Sequence, residues 1–477
     1  MKIVFFLLSW LSLGFADVPA CHNGVVTFDP PLNRGSPTWY PNIFTNNPPI
    51  FPANYSCVYQ INVPEQWFAQ IQLTVVGSQL SVPVVQVIDQ LGNIEGINNS
   101  SQEYFYFIAK GGKIKLSTQT TQPNFGFSVV WKPSTGRDPI SIDVPQSYHQ
   151  PTPFQFYGNR HIFINANTKV SATIIPPVSN YKLQYLRGVV YFDGSDPDAS
   201  KCLGTGYQLL NSNSQFVSSG PSMNVLILSD SGSYPTLFFQ DYADMQGIKS
   251  FQGTRYGGDF TMDASKGMTA YQIYNYKDFG FLLKNVTGSG KVDVYVGTVA
   301  ADKSNLIASY DLSINNQNSF PQLFLGTFTT FVMYNGNAAI SGYQSNSCPV
   351  NVGFGRKAII SSAQYGSPVF SQDMKQHVYA PDAGKFRYTV SFADLVKFST
   401  LKVIGRDSNG QQIYIANYNS TNAPKLNTYY QFYGKELYVA YDSNENKGFL
   451  MQYTVEKSVS GIQLFIVCAS MLMFYFV

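Results

Sequence analysis

FPANYSCVYQINVP, residues 51–64, places a cysteine directly after an Asn-Tyr-Ser triplet and then alternates two kinds of residue. From Cys57 to Val63 an apolar side chain occupies every second position, with Gln60 and Asn62 between them. Successive side chains of a β-strand point to opposite faces, so this alternation predicts a strand with one buried face. We therefore expect an extended segment that buries a thiol and follows a possible site for sugar.

The segments on the C-terminal side keep this two-residue period as far as residue 133. Residues 67–75 alternate again, 84–89 form a short apolar run, and 125–131 place two Phe, a Val and a Trp on one face. Residues 103–118 are interpreted as a hairpin, because the two glycines at its centre tolerate the positive φ of a tight turn. None of these segments has the 3.6-residue period of a helix. The pattern predicts an antiparallel β-sandwich.

Three features of this first part return in the same order near the C-terminus. The corresponding pairs are 85–93 with 402–411, 104–117 with 429–442, and 125–131 with 447–455. Both Asp89 and Asp407 end a strand and are followed three residues later by glycine, whereas the remaining identity is low. A weaker third copy is expected at 291–343, with a hairpin around Asn335 and Gly336. These echoes predict more than one module of the same kind.

The chain is accordingly predicted to be all-β, with tandem antiparallel β-sandwich modules. Prolines near residue 140 and irregular patterns hide the borders in the middle of the chain. The predicted organisation is a signal peptide at 1–16, a first sandwich at 17–134, a β-rich middle region of one or two degenerate modules at 135–345, a sandwich resembling the first at 346–457, and an apolar tail at 458–477.

The first residues have the pattern of a secretory signal peptide. Lys2 precedes an apolar run at 3–13, and small residues lead to a cleavage site expected after Ala16. The alternative, a membrane-spanning helix, needs a longer apolar run. We expect the mature chain to be secreted.

The last 16 residues, 462–477, are uncharged and strongly apolar. As a helix they would extend about 24 Å, less than the ~30 Å hydrocarbon core of a bilayer. An apolar tail after small residues predicts a GPI anchor attached near Ser458. Attachment at Asn446, with Gly448 two residues on, would give a longer polar spacer but would cut a predicted strand. A single-pass helix without a cytoplasmic tail is the other alternative.

Charge and cysteine usage also indicate an extracellular chain. Charged residues make up 12% of the sequence, against about a quarter in soluble domains, and no dense Lys/Arg stripe favours nucleic acid. Cys468 lies in the tail, which leaves an even number of cysteines for an oxidising compartment. These are Cys21, Cys57, Cys202 and Cys348. The candidate glycosylation sites are Asn54, Asn98, Asn99, Asn285 and Asn419.

Motifs that carry catalytic or metal chemistry are weak in this sequence. A calcium ion needs about six to eight oxygens, so Asp89 and the acidic segment 193–198 are interpreted as turns. The four histidines lack zinc spacing, no Gly-x-Ser-x-Gly is present, and 288–291 lacks the residues of a phosphate loop. The paired carboxylates of a glycosidase come together only in the folded chain, so the sequence leaves a glycosidase as an alternative. We expect no cofactor and no metal.

Aromatic residues of the first module are the remaining binding candidates. A patch for sugar stacking or protein binding is predicted from Trp39, Tyr40, Trp67, Tyr104 and Tyr106. The alternative for each is core packing, the usual fate of large aromatic side chains.

The first module resembles the nematode CUB-like domain family. The resemblance is carried by PTWYPN (37–42), FPANYSCVYQINVP, the strand at 85–89, YFYFIA (104–109) and FGFSVVW (125–131), within about a quarter of the chain. It implies a CUB-like sandwich and a disulfide between Cys21 and Cys57, which leaves Cys202 to pair with Cys348. It also implies a surface-exposed protein of innate immune or stress responses.

The favoured hypothesis is a non-enzymatic cell-surface glycoprotein at the outer leaflet of the plasma membrane. Its CUB-like modules would bind extracellular proteins or glycans, including microbial ones. One alternative is a secreted hydrolase with a catalytic centre in the middle region, marked by paired carboxylates or by His149 or His161 beside Ser or Cys. A structural surface or mucus protein is the other.

Overall fold

Four hydrophobic cores follow one another along the chain, each inside one β-sandwich. We number them as modules 1 (18–134), 2 (139–241), 3 (242–345) and 4 (349–458). The computed structural model describes residues 18–33, 35–41, 43–44, 47–77, 83–134, 139–147, 152–154, 160–177, 180–229, 236–275, 280–345, 349–366, 373–396, 398–443 and 447–458.

Module 1 consists of two facing sheets with the strand orders β1-β3-β8-β5-β6 and β2-β9-β4-β7. All neighbours are antiparallel except β1 and β3, which are parallel. A 3₁₀ helix, His22–Gly24, precedes β1. The strands are β1 (Val25–Phe28), β2 (Thr38–Tyr40), β3 (Ser56–Ile61), β4 (Trp67–Val76), β5 (Val85–Ile88), β6 (Ile94–Ile97), β7 (Ser101–Phe107), β8 (Gly112–Ser117) and β9 (Asn124–Pro133).

The alternation read from the sequence decides which side chains fill this core. Tyr59 on β3 and Trp131 on β9 are both at most 1% exposed, and the Trp131 indole N–H donates to the Asn62 carbonyl at 2.8 Å. A disulfide joins Cys21 to Cys57, with the Cα atoms 5.8 Å apart. The disulfide implied by the family resemblance is confirmed, and it ties the start of the module to β3.

Module 2 repeats the two sheets, in the orders β10-β12-β17-β14-β15 and β11-β18-β13-β16. Helix α1 (Gly206–Ser212) begins with a capping box, in which Thr205 and Gln208 satisfy each other's backbone N–H. Two 3₁₀ helices lie at Asn180–Gly188 and Ala199–Lys201. The strands are β10 (Ile140–Val144), β11 (Thr152–Phe154), β12 (Arg160–Ala166), β13 (Val170–Ile175), β14 (Val189–Asp193), β15 (Cys202–Thr205), β16 (Phe216–Val217), β17 (Ser222–Ile227) and β18 (Thr236–Asp241).

Modules 3 and 4 contain longer strands that pass from one face of the sandwich to the other. Helix α2 (Tyr242–Met245) leads into module 3, and a 3₁₀ helix lies at Gln317–Ser319. Module 3 has β19 (Ser250–Arg255), β20 (Phe260–Asp263), β21 (Thr269–Tyr274), β22 (Gly280–Val296), β23 (Leu306–Asp311), β24 (Gln322–Leu325) and β25 (Phe328–Ser345). Module 4 has β26 (Pro349–Asn351), β27 (Arg356–Ser361), β28 (Met374–Asp394), β29 (Thr400–Arg406), β30 (Gln412–Tyr418), β31 (Tyr429–Asp442) and β32 (Gly448–Lys457).

All four modules share one nine-position topology once the long strands are divided. In chain order, β22 and β25 of module 3 each fill two positions, as do β28 and β31 of module 4. In every module the first position pairs in parallel with the third. The other pairs are antiparallel and join the positions 3–8, 8–5, 5–6, 2–9, 9–4 and 4–7. The predicted all-β fold of tandem sandwiches is confirmed.

The turn after position five shows how similar modules 1 and 4 are in local structure. The Asp89 carboxylate accepts from the backbone N–H groups two and four residues further on, both at 2.9 Å. Asp407 does the same at 2.9 and 2.8 Å. Gly92 and Gly410 each adopt a positive φ, near 80°, in this turn. Both aspartates are therefore turn-forming residues.

Two predicted hairpins are wrong, for one physical reason. β7 and β8 do not pair with each other, because β7 pairs with β4 in one sheet and β8 with β3 and β5 in the other. Around Asn335 and Gly336 the chain continues as the single strand β25. In both places glycine lets the chain cross between the two sheets, and sequence alternation is the same on both sides of such a crossing.

The chain ends lie outside the described residues, so neither the signal peptide nor the tail beyond Ser458 is part of this description. Within the described ranges, no helix is long and apolar enough to span a membrane. Strand β32 begins at Gly448 and pairs with both β27 and β28. Attachment of an anchor at Asn446 would therefore remove a central strand of module 4.

A candidate recognition cleft at the first module junction

Module 2 packs against one edge of module 1, formed by β6 and β7. Apolar side chains meet there: Phe68, Tyr106, Ile108 and Ala109 from module 1, and Val190, Phe192, Leu226 and Leu228 from module 2. Tyr106 is 4% exposed and packs over Gly188, where a Cβ would come within 3.0 Å of its ring. The junction is a continuous apolar contact, which fixes the two modules relative to each other.

A buried arginine crosses this junction. Arg187, in the 3₁₀ helix Asn180–Gly188, forms ion pairs with both Glu95 on β6 and Glu103 on β7. Its Nε donates to Glu95 at 2.9 Å, and its Nη2 donates to Glu103 at 2.6 Å. The guanidinium also stacks 4.1 Å above the Phe105 ring. Burial lowers the pKa of Arg187, but the two carboxylates outweigh this and raise the pKa overall.

Beside Arg187 lies a cleft of about 490 Å³, within the size range of small-ligand sites. Apolar and aromatic side chains line it together with polar ones, and among the polar ones Gln208 donates to Asp89 at 2.6 Å. The residues that the arguments below use are Ile94, Phe105, Tyr207, Asp89, Glu95 and Gln208. With Glu103 next to it, the site has three carboxylates and one guanidinium, so its net charge is negative. Such a site favours a ligand with an apolar body and a cationic or donor-rich end.

The Arg187 cluster does not have the arrangement of a glycosidase pair. The two glutamates hold one guanidinium between them, in the space where a water molecule or a glycosidic oxygen would have to lie. Of the histidines named as catalytic candidates, His161 contacts the Asn224 side chain, and His149 lies outside the described residues. No group of three or more His, Cys, Asp or Glu in the described ranges could hold a metal ion.

The five predicted aromatic candidates do not form one patch. Tyr40 is buried in the core against Tyr59, and Trp67 packs against the same core. Tyr104 stacks on Tyr185 at the junction, and Tyr106 is buried there. Trp39 packs edge-on against Phe44 at 5.1 Å. Trp39 and Tyr40 are separated because neighbouring residues of a strand, here β2, face opposite sides of the sheet. Glu95, Glu103, Arg187 and Gln208 were missed, since only folding brings these distant segments together.

The predicted bond between Cys202 and Cys348 is absent from the structure, which has Cys202 as a free thiol. Cys348 lies outside the described residues. Cys202 is at the start of β15, and the Gln90 amide donates to its sulfur at 3.9 Å. Burial raises the pKa of the thiol to about 11, so it stays protonated. Cys202 is half-buried and packs against the apolar residues of the first junction.

The candidate sugar sites and acidic turns lie on the surface. All five asparagines of the triplets are exposed, as sugar attachment requires: Asn54, Asn98, Asn99, Asn285 and Asn419. In the acidic segment 193–198, Asp193 accepts from the Ser219 N–H at 2.7 Å, and Asp198 caps a 3₁₀ helix. These carboxylates form turns and caps, in agreement with the turn interpretation.

One buried carboxylate belongs to the second junction. Asp244 in α2 is 5% exposed and accepts from the Ser147 N–H of module 2 at 2.7 Å and from the Ala301 N–H of module 3 at 2.9 Å. Burial raises the pKa of Asp244, although the two N–H donors oppose this shift. The side chain links the two modules through their backbones.

Three family models match the chain. Residues 16–135 match the CUB-like domain, 143–228 match DUF7592 and 239–345 match DUF7591, both domains of unknown function. No curated protein sequence matches. Among solved structures, the CUB1-EGF-CUB2 region of human MASP-1/3 is 10% identical, with 42% of this chain and 100% of that chain covered and a TM-score of 0.17. The values for rat MASP-1 are 10%, 43%, 99% and 0.17. For the triple jelly roll protein of an archaeal virus turret they are 8%, 88%, 88% and 0.15. These scores are too low to superpose the whole chain on any of them.

Proposed function

Because the chain contains a CUB-like domain, a module of extracellular recognition, and a disulfide, we propose that it is a non-enzymatic extracellular recognition protein. Its ligand site is the cleft between modules 1 and 2. The observation that carries this assignment is the cleft itself, in which apolar and aromatic side chains lie beside carboxylates and beside the ion pairs of Arg187. Preorganised sites of this kind bind with little loss of conformational entropy.

The ligand class follows from the charges. Three carboxylates outnumber one guanidinium, so we propose an extracellular protein segment that inserts a basic side chain between Tyr207 and Ile94. Aromatic and apolar walls would cover the stem of such a side chain, as in other amphipathic contacts. The resemblance to a nematode family supports a setting in innate immune or stress responses, with a microbial surface molecule as the partner.

Binding of the secreted ectodomain, residues 17–457, to arrays of basic and acidic peptides and of glycans tests the proposal. We expect selective binding to basic peptides. Ile94→Trp, at an exposed position on the cleft wall, should fill the cleft and abolish binding. Leu91→Trp, in the adjoining turn but outside the cleft, is the matched control. Equal binding by both variants would place the ligand elsewhere. Hydrolysis of a surface polymer without any binding to the arrays would refute the non-enzymatic role.

The proposed anchor is a GPI group attached near Ser458, directly after β32. Attachment there leaves all nine strand positions of module 4 in the mature protein. Release of the protein from cells by phosphatidylinositol-specific phospholipase C would support the GPI anchor. Retention on the membrane after that treatment would favour a single-pass helix.

A further inference from the structure

The outer side of one sheet differs between module 4 and modules 2 and 3. It is the outer side of the sheet that contains positions three, eight and five. In module 2 it carries apolar side chains such as Phe192 and Leu226, which pack against module 1. In module 3 it carries Tyr295 and Val332, which pack against Met245 of helix α2. In both modules these apolar residues serve packing within the chain.

Module 4 contacts module 3 through its other sheet. Gln322 on β24 exchanges two hydrogen bonds with the Ile359 backbone, at 2.9 and 3.0 Å. Ile359 lies on β27, which is position two and pairs with β32. The outer side of positions three, eight and five points away from this contact. We refer to it as the basic face, and it consists of the outward residues of 375–379 on β28, 402–406 on β29 and 436–442 on β31.

Strand register arranges the side chains of the basic face in three rows that run across β28, β31 and β29. In this order of strands the rows are Lys375, Ala440 and Lys402, then His377, Tyr438 and Ile404, then Tyr379, Glu436 and Arg406. Neighbouring strands lie about 4.8 Å apart, so the two lysines stand on either side of the small Ala440 side chain, with their Cα atoms roughly 10 Å apart. The first row is therefore a shallow gap between two cations.

A buried carboxylate organises the second and third rows. Glu436 is 7% exposed, its Oε1 lies 2.6 Å from His377 Nδ1, and both its oxygens accept from Arg406 Nη1 at 3.1 Å. The Tyr438 ring centre lies 4.6 Å from that of His377 and 5.2 Å from the guanidinium carbon of Arg406. In the described part of the chain, neither His377 Nε2 nor Arg406 Nη2 has a partner. The cluster fixes an aromatic ring and leaves polar atoms beside it for a ligand.

The charge of this face is positive. Lys375 and Lys402 are exposed, and within the described ranges neither forms a hydrogen bond or an ion pair. Three cationic side chains, those of the two lysines and of Arg406, meet two carboxylates, Glu436 and Asp442, so the net charge is +1 before any protonation of the histidine. Because Glu436 is held by Arg406, the two lysines remain to attract an anion.

We propose that the basic face of module 4 binds an acidic saccharide. Its anionic group, a carboxylate or a sulfate, lies over Ala440 between Lys375 and Lys402, and the sugar ring that carries it packs on Tyr438. One side of a pyranose ring presents apolar C–H groups that pack on an aromatic ring, and its hydroxyl groups both donate and accept hydrogen bonds. An acidic peptide offers the charge without the flat ring. This site is separate from the cleft at the first junction and does not depend on it.

Binding of the secreted ectodomain to four immobilised probes tests this proposal: a sulfated heparin hexasaccharide, hexagalacturonate, maltohexaose and hexaglutamate. We expect binding to the acidic saccharides that weakens as salt is added, and none to the neutral saccharide or the acidic peptide. Lys375→Ala with Lys402→Ala should weaken this binding at least about tenfold. The matched control is Lys113→Ala with Lys115→Ala, at exposed positions of the same sheet in module 1, where the paired residues carry no aromatic ring. It should leave the binding unchanged.

A second variant tests the gap between the lysines directly. Ala440→Glu places a carboxylate between them and should abolish saccharide binding, while urea unfolding shows whether module 4 stays folded. Equal binding to maltohexaose or hexaglutamate, no binding to either acidic saccharide, or an equal loss in the module 1 control would overturn the proposal. Ile94→Trp, which fills the cleft at the first junction, should leave saccharide binding intact, so the two proposals fail separately.

Discussion

Replacing Arg187 by methionine should loosen the junction between modules 1 and 2 without unfolding either module. Methionine keeps an apolar stem against Phe105 but removes the charge that pairs Glu95 and Glu103. The two carboxylates would then lie close together without a counter-charge. Both glutamates belong to module 1, so closing the junction against module 2 would then bury two unpaired charges. They lie at the junction and not inside a core, so the effect should be local.

The magnitude follows from the exposure of the groups. Removing one partner of a fully buried ion pair costs about 3–5 kcal/mol. The Arg187 side chain is 8% exposed, but the glutamates are 27% and 26% exposed and regain water when they are released. We therefore expect a loss of about 2–3 kcal/mol in the free energy of opening the junction. The matched control is Arg387→Met, whose pair with Glu456 at 3.1 Å is 41% and 44% exposed and should cost less than about 1 kcal/mol.

Native-state hydrogen exchange is the suitable assay, because four modules do not unfold as one two-state unit. The amides of 101–107 and 180–190 should exchange faster in Arg187→Met, while those of module 4 should not change. Adding Glu95→Gln and Glu103→Gln to that variant should restore part of the protection, since closing the junction then buries no unpaired charge. Equal effects of Arg187→Met and Arg387→Met on the junction would refute the ion-pair explanation.

Three further outcomes are expected. Cys57→Ser removes the disulfide that closes a loop with a sequence separation of 36, and it should lower the free energy of unfolding of module 1 by about 4 kcal/mol. Urea unfolding measures this loss, and an unchanged midpoint would contradict the expectation. Cys202 should resist iodoacetamide at pH 8 until the protein is denatured, because its pKa is about 11; rapid labelling of the folded chain would show that the thiol is accessible. Because the pKa of Asp244 is raised, the folded protein binds this proton more readily than the unfolded chain, and the free energy of unfolding should fall as pH rises from 3.8 through the raised pKa. Asp244→Asn should flatten this pH dependence of the free energy of unfolding in urea titrations. An identical pH dependence in the variant would exclude this carboxyl as its source.

Sequence reasoning could predict the strands of module 1, because their alternation reports directly on burial. The observed β3 and β4 follow the predicted parity, and the aspartate turns at Asp89 and Asp407 have the same geometry, as their sequence echo indicated. Local chemistry is enough for such features. Each depends on the positions of residues a few places apart in the chain.

The sequence could not indicate the shared topology of all four modules. Strands such as β28 run through two positions without a turn, so no turn-forming sequence marks the passage from one sheet to the other. In module 2 the counterpart of a short connection contains helix α1, which hides the correspondence. The residues of the candidate site could not be predicted for a different reason. Arg187 meets Glu95 and Glu103 over 80 or more residues of chain, and nothing near it in sequence marks it as buried.

The parallel pairing of positions one and three sets the order in which this chain can fold as it is made. The first strand of each module has no partner when it emerges from the ribosome, since the second position belongs to the opposite sheet. The last strand completes that opposite sheet, so no module can close before its final residues are synthesised. Each module therefore exposes an uncovered side while it is being synthesised. The next module along the chain covers that side once it has been synthesised.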